Sequence, residues 1–395
     1  MPLARERDFT AGSTLTDPAA KGFHGGMDST ADPELALAAR IAVAESLKVQ
    51  RDEKVLIVTN PLPDVFAVSR ALYDAALDAG GRPTILVQPV KAQMDFAEEA
   101  VIAAFESQPD VVISISAEKM GKDRSGIQTP YEWDGVSYDH VFHYQLHGAK
   151  TLRAFWSPSV TVAMFKKTVR IDYRELQGRC DRIKDVLDAA VSVRVTNAKG
   201  TDISIGIKGR KAKLDNGDYS TPGSGGNLPA GEVFVSPALG TASGTIVFDG
   251  SIANTSGDIV IREPIRCRVE GGFVVEIAGG EEASVLRATL ETAAANAKLM
   301  AAEGSLPEDK AEAYARNARN IGEFGIGLNP RAEVVGNMLE DEKAFSTCHF
   351  AIGSNYDEDA PALIHLDGLV SNPTIVAVTA KGRETVIERE GKLLV

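Results

Sequence analysis

The strongest constraint on this chain is a change of rhythm near residue 190. Before it, short apolar runs alternate with amphipathic stretches. Glu34–Val49 carries an apolar side of Leu35, Ala38, Ile41, Ala42, Ala44 and Leu47, the spacing of a helix. Lys54–Thr59 (K-V-L-I-V-T) reads as a buried strand, broken by Asn60-Pro61 and Pro63. A helix is expected over Val65–Ala79, stopped by Gly80-Gly81. Thr84–Val87 follows as a strand, Ala92–Glu106 as a helix and Val111–Ile115 as a strand. Strand–helix alternation of this kind implies a parallel α/β sheet.

After Ala190 the segments shorten and glycine, aspartate and asparagine turns separate them. Val191–Val195, Asp202–Ile207, Ala212–Asp215, Gly244–Gly250, Asp258–Ile261, Ile265–Val269 and Phe273–Ile277 read as short antiparallel strands. A long Ala-rich helix, Glu281 to Ala302, and a second over Pro307–Asn320 interrupt them. Thr374–Val378 and Thr385–Arg389, around Lys381-Gly382, form a closing hairpin. The expected organisation is a loose polar arm over 1–32, an N-terminal parallel α/β domain over 33–185, and an α+β, largely antiparallel domain over 186–395. The boundary falls in the charged helical stretch Tyr173–Ala189.

Composition excludes several classes. The formal net charge is −13 with acidic residues scattered, which argues against a nucleic-acid partner. No apolar run reaches the roughly 18 residues of a membrane span, and the start M-P-L-A-R-E-R-D-F lacks a signal-peptide core. Cys180, Cys267 and Cys348 are odd in number and far apart, which fits a reducing cytoplasm. Neither G-x-G-x-x-G after the first strand nor G-x-x-x-x-G-K-[ST] occurs, so nucleotide binding is not indicated.

Two of the six histidines lie in H-F-A-I-G-S-N-Y-D-E-D-A-P-A-L-I-H-L-D, residues 349–367. In extended backbone, residues i and i+2 share a side, so His365 and Asp367 can aim at one point, a common donor pair for zinc, iron or cobalt. His349 precedes an apolar F-A-I-G, and by itself fits a structural histidine as well as a ligand. Glu232, in G-G-N-L-P-A-G-E-V-F, is either a shielded carboxylate at the exit of a shaped loop or an exposed turn residue. Glu323 stands among the glycines of G-E-F-G-I-G-L-N-P, either a turn or a backbone that admits close approach. Tyr356 can donate to a developing oxyanion or be a loop aromatic. His140, His143 and His147 share the i, i+3, i+7 spacing of one helical face but lack the H-E-x-x-H register, and are read as structural or substrate-facing.

At these segments the chain resembles the metallo-aminopeptidases of the aminopeptidase T type, the thermophilic metalloprotease family. The matching stretches are N-L-P-A-G-E-V-F-V-S-P (227–237), G-T-I-V-F-D-G-S-I (244–252), G-E-F-G-I-G-L-N-P (322–330), G-N-M-L-E-D-E-K-A (336–344), C-H-F-A-I-G-S-N-Y (348–356) and I-H-L-D (364–367). The first domain agrees weakly, as at G-A-K-T-L-R-A-F-W-S-P-S-V-T (148–161). The resemblance implies an N-terminal α/β domain, a β-rich metal domain, a homodimer and a centre of two divalent ions, zinc or cobalt. It implies Glu232, Glu323, His349, His365 and Asp367 as ligands, with Glu323 bridging, and Tyr356 as transition-state stabiliser. The implied activity is hydrolysis of the N-terminal bond of small peptides. Two departures stand out: the loop between the histidines is short and acidic (Asp357, Glu358, Asp359), and Gly231 replaces the first of two carboxylates before V-F. The same superfamily holds iron-dependent dioxygenases that open dihydroxypyridine rings. The alternative expectation is therefore a mononuclear Fe(II) site of His349, His365 and Asp367.

Overall fold

In the computed structural model, residues 32–92, 95–254 and 257–395 are described. The arm expected over 1–32 lies almost wholly outside them. Residues from Pro33 onward form one compact unit.

The alternating apolar runs build a five-stranded, all-parallel sheet. Its strands in spatial order are Arg82–Val87, Lys54–Thr59, Val111–Ile115, Arg153–Trp156 and Gly225–Asn227. Lys54–Thr59 and Val111–Ile115 are buried almost throughout, as expected of strands covered on both faces. Helices Pro33–Ile41 and Pro63–Asp78 pack together, burying Leu35, Ala38, Val68 and Leu72. The first helix ends in a π turn, Ala42–Ser46, within the stretch read as one helix. The helix expected over Ala92–Glu106 is shorter, Glu99–Ala104 with a 3₁₀ turn at Phe105–Ser107. Gly225–Asn227, from beyond the change of rhythm, completes the parallel sheet beside Arg153–Trp156. Neither strand was read from the sequence: the first is too short and glycine-rich to show alternation.

The remainder forms two antiparallel sheets. One has eight strands, from Phe273–Ala278 through Ala190–Thr196 to the closing hairpin Thr374–Thr379 and Glu384–Arg389. The other has seven, in the order Gly257–Val260, Ser251–Asn254, His365–Ser371, Thr347–Gly353, Ile321–Gly327, Glu232–Val235, Lys213–Asp215. Phe324, Ile326, Phe350 and Val370 on these strands join the main apolar core. The fold class is thus mixed α/β, a parallel sheet region followed by largely antiparallel sheets. Helix Tyr173–Ala189, capped by Asp172, packs against strands of both antiparallel sheets. The three cysteines are buried and unpaired. Among the described residues, no helix is long and apolar enough to cross a membrane.

Candidate metal centre

The four adjacent central strands of the seven-stranded sheet carry all five expected donors. Glu323 faces Ala351, which faces Asp367. His349 is paired with Gly325 on one side and Leu369 on the other, and Glu232 with Gly327. Strand alternation puts these residues on one face of the sheet. Small residues stand at 325, 327, 351 and 353: Gly327 and Gly353 admit the Ala344 and Ile364 carbonyls, and Gly325 admits a donor side chain. The requirement is sharpest at Gly325, where a Cβ would sit 2.0 Å from His349 Nε2. The glycine segment around Glu323 is therefore not a turn but a buried strand, Ile321–Gly327, over which an imidazole lies. Glu232 likewise opens a strand, and is 6% exposed.

One carboxylate organises the cluster. Glu323 Oε1 lies 3.2 Å from His349 Nε2, and its Oε2 lies 3.2 Å from His365 Nε2. Asp367 Oδ1 approaches His365 Nε2 at 3.5 Å, and Glu232 Oε2 approaches His349 Nε2 at 3.4 Å. Two three-donor groups result, Glu232–Glu323–His349 and Glu323–His365–Asp367, each compact enough for one ion and sharing Glu323. A third, Glu342–His349–Asp367, adds a carboxylate that sequence reasoning did not single out.

Charge in the cluster is lopsided. Glu323 and Asp367 face the two histidines, while Glu232, Glu342 and Asp215 converge on one ammonium, Lys343, which is fully buried. Its Nζ lies 2.7 Å from Glu232, 2.5 Å from Glu342 and 3.2 Å from Asp215. Tyr219 donates its hydroxyl to Asp215. Burial would depress the His349 imidazole, but its hydrogen bond to Glu323 and the charges of Glu232, Glu323 and Asp367 outweigh burial and raise it to about 9. Burial would raise Asp367, yet His365 and then His349 bring it down to about 2. Burial pushes Glu232 well above the usual carboxylate range despite Lys343.

These features suit resident cations. Glu232 Oε2 is buried without a hydrogen-bond partner, a costly state for a carboxylate oxygen unless a cation faces it. The Ser354 carbonyl lies 2.9 Å from His365 Nδ1. A proton on Nδ1 would donate to it and turn the Nε2 lone pair toward Glu323 and Asp367, as a metal-bound imidazole requires. Lys343→Met should leave three buried carboxylates short of their ammonium. The metal-free protein is expected to lose about 3 to 5 kcal/mol in denaturant unfolding, and an unchanged midpoint would contradict this role.

Tyr356 is half exposed, its ring 5.2 Å from His365 and 5.1 Å from Phe234. The acidic loop beside it is tied down. Arg210 donates to Asp359 at 2.7 Å, Asn355 bonds Asp359, and Lys213 donates to the Tyr356 carbonyl. The short loop thus acts as a brace that holds Tyr356 over His365. Arg210→Ala should lower turnover per bound metal about tenfold by loosening Tyr356, with metal content unchanged. Unfolding should shift by under about 1 kcal/mol, because the pair is partly exposed.

The three remaining candidate histidines stand apart from the cluster. His140 caps the short helix Val141–His143, accepting from Phe142 N, and its Nε2 lies 3.1 Å from the Gly121 carbonyl. All three, His140, His143 and His147, line one cleft.

Comparison with known proteins follows this geometry. A profile of the family described as NicX, 2,5-dihydroxypyridine 5,6-dioxygenase, matches residues 38–352. The 2,5-dihydroxypyridine 5,6-dioxygenase of Pseudomonas putida KT2440 is 28% identical over 162 residues, 40% of this chain and 39% of that protein. The match thus spans well under half the length of that curated relative. The solved 2,5-dihydroxypyridine dioxygenase of P. putida KT2440 superposes with a TM-score of 0.66 at 18% identity, covering 91% of this chain and 97% of that one. Wild-type AmpT from Thermus thermophilus superposes with a TM-score of 0.62 at 18% identity, covering 92% and 99%. Both superpositions speak to fold alone. The two families named from the motifs share this architecture, but the sequence relationship runs to the dioxygenase side: the chain belongs to the NicX, 2,5-dihydroxypyridine 5,6-dioxygenase family.

Proposed function

We propose that this member of the family is a two-metal hydrolase that removes the N-terminal residue from small peptides, acting as a cytoplasmic homodimer. One observation carries the reading: the two oxygens of Glu323 point to different histidines, each at 3.2 Å. A carboxylate so placed would be shared between two divalent ions. Glu232 and His349 would complete one position, His365 and Asp367 the other. Divalent zinc or cobalt bound there would supply Lewis acidity and an activated water.

The chain's own groups do the rest. Tyr356, braced over His365, donates its hydroxyl to the oxyanion that develops on the scissile carbonyl. Burial raises the Glu342 carboxyl, the Asp367 charge adds to this, and Lys343 opposes it. A carboxylate with raised proton affinity is suited to take a proton from the attacking water and return it to the leaving amine.

A second reading, an Fe(II) ring-cleaving dioxygenase acting on a dihydroxypyridine-like substrate, draws support from the family match and the curated relative. It needs His349, His365 and Asp367 around one ion. Glu323 between the two histidines supports the first reading, while the group Glu342–His349–Asp367 joins two of the three donors the second needs. Metal analysis of protein prepared without oxygen separates the two. The hydrolase should carry about two ions per chain, falling to about one in Glu232→Ala. A single firmly held iron, unchanged in Glu232→Ala, together with oxygen uptake on a dihydroxypyridine, would reject it.

A further inference from the structure

The carboxyl ends of the parallel strands form a second concave region, lined by none of the five donors. In open α/β sheets, ligands settle outside these strand ends. Here the crevice between Lys54–Thr59 and Val111–Ile115 is closed by Asn60. Its amide donates to the Gln88 and Pro89 carbonyls at 3.1 and 3.0 Å and accepts from Ala117 N at 2.8 Å. The opening lies one strand over, where Val111–Ile115 and Arg153–Trp156 end in a cleft of about 840 Å3.

One wall of that cleft is aromatic. Phe142 meets Trp156 edge-on at 6.1 Å and His143 at 5.6 Å, and His143 meets His147 at 6.1 Å. Enclosure, reinforced by His140 and His147, pushes His143 down to about 4. The wall is therefore neutral near physiological pH and presents ring faces rather than charge. The floor is polar: Ser114 and Ser116, at the strand end, bring hydroxyls. The exposed Lys119 adds an ammonium. Of the carboxylates lining the cleft, Asp123 is committed to Gly126 N, Val141 N and the Tyr131 hydroxyl. Glu118 and Asp139 are the acidic groups that remain. An apolar wall facing a few convergent polar groups is the usual make-up of a small-molecule site.

We propose that this cleft binds a small aromatic acid, its ring against Phe142, His143, His147 and Trp156 and its carboxylate toward Lys119 and the serine hydroxyls. The assignment is independent of the metal chemistry, so either outcome of the metal analysis leaves it standing.

Trp133 and Trp156 are the chain's two tryptophans, and Trp133 is exposed. Trp133→Phe therefore leaves Trp156 as the sole indole reporter inside the cleft. Benzoate, benzylamine and acetate are titrated against this full-length variant at constant ionic strength, following indole fluorescence. Benzoate should give a saturable change. Lys119→Ala and His143→Ala should each weaken it about tenfold. Acetate should give no saturable change and benzylamine should bind at least about tenfold more weakly than benzoate. A non-saturating response to benzoate, equal affinity in either variant, acetate matching benzoate, or tighter binding of benzylamine would each overturn the proposal.

Discussion

Glu323→Gln should remove both ions at once, whereas Glu232→Ala should remove one. The amide keeps the size of the side chain and can still hydrogen-bond both imidazoles. It has lost the second anionic oxygen that a bridge between two cations requires. Turnover of a leucyl p-nitroanilide is expected to fall about a thousandfold or more, since the catalytic groups act as a unit. The fold should persist: Glu323 sits in a strand flanked by Glu232–Val235 and Thr347–Gly353, and the amide satisfies its immediate neighbours. Metal content measured on the folded variant is the deciding quantity. Retention of two ions in Glu323→Gln would show that Glu323 is a hydrogen-bonding neighbour and not a bridge. Loss of iron alone, from a wild type holding one ion, would move the chain to the oxygenase reading.

The H-x-D pair on extended backbone is a local pattern, whereas Glu232, Glu323 and His349 enter the candidate ligand set only through the family resemblance. Their arrangement is not a local pattern. Glu232 and Glu323 are far apart in sequence and meet only because Glu232–Val235 pairs antiparallel with Ile321–Gly327. Register of that kind depends on which strands neighbour one another, and local sequence does not carry it. The glycines of 322–327 look like a turn for the same reason: the clearance that Gly325 gives His349, and that Gly322 and Gly327 give the Ser354 and Ala344 carbonyls, appears only once the neighbouring segments are in place. Lys343 escaped notice because it stands in L-E-D-E-K-A, which reads as a solvated helical face. A lysine with no exposure is rare unless paired, and here the adjacent Glu342 is joined by Asp215 and Glu232 from distant strands. The parallel sheet shows the same limit. Lys54–Thr59 and Val111–Ile115 are continuous apolar runs that mark themselves as strands, while the interior strand Arg153–Trp156 and the edge strand Gly225–Asn227 have no such signature.

The second large effect lies away from the metal centre, at Glu388. It sits on Glu384–Arg389 between Ile375 and Leu393, fully buried, and neither carboxylate oxygen has a hydrogen-bond partner. Burial alone raises its carboxyl from 4.5 to about 8. The folded chain therefore holds a proton that the unfolded chain releases near neutral pH. A folded value above the unfolded one means that the stability of the folded state is intact below the unfolded value and declines as pH rises. The decline runs from about 4.5 through about 8 and then levels off. At 1.36 kcal/mol per unit, the full decline is about 5 kcal/mol at most. Glu388→Gln removes the titration while keeping the shape. Near pH 5 the variant should unfold at about the wild-type denaturant concentration, and near pH 8 it should be the more stable by about 3 to 5 kcal/mol. Glu388→Leu should gain at both values, because it also removes the unpartnered polar atoms. Parallel wild-type and Glu388→Gln stability profiles between these pH values would show that the carboxyl is solvated or paired in solution.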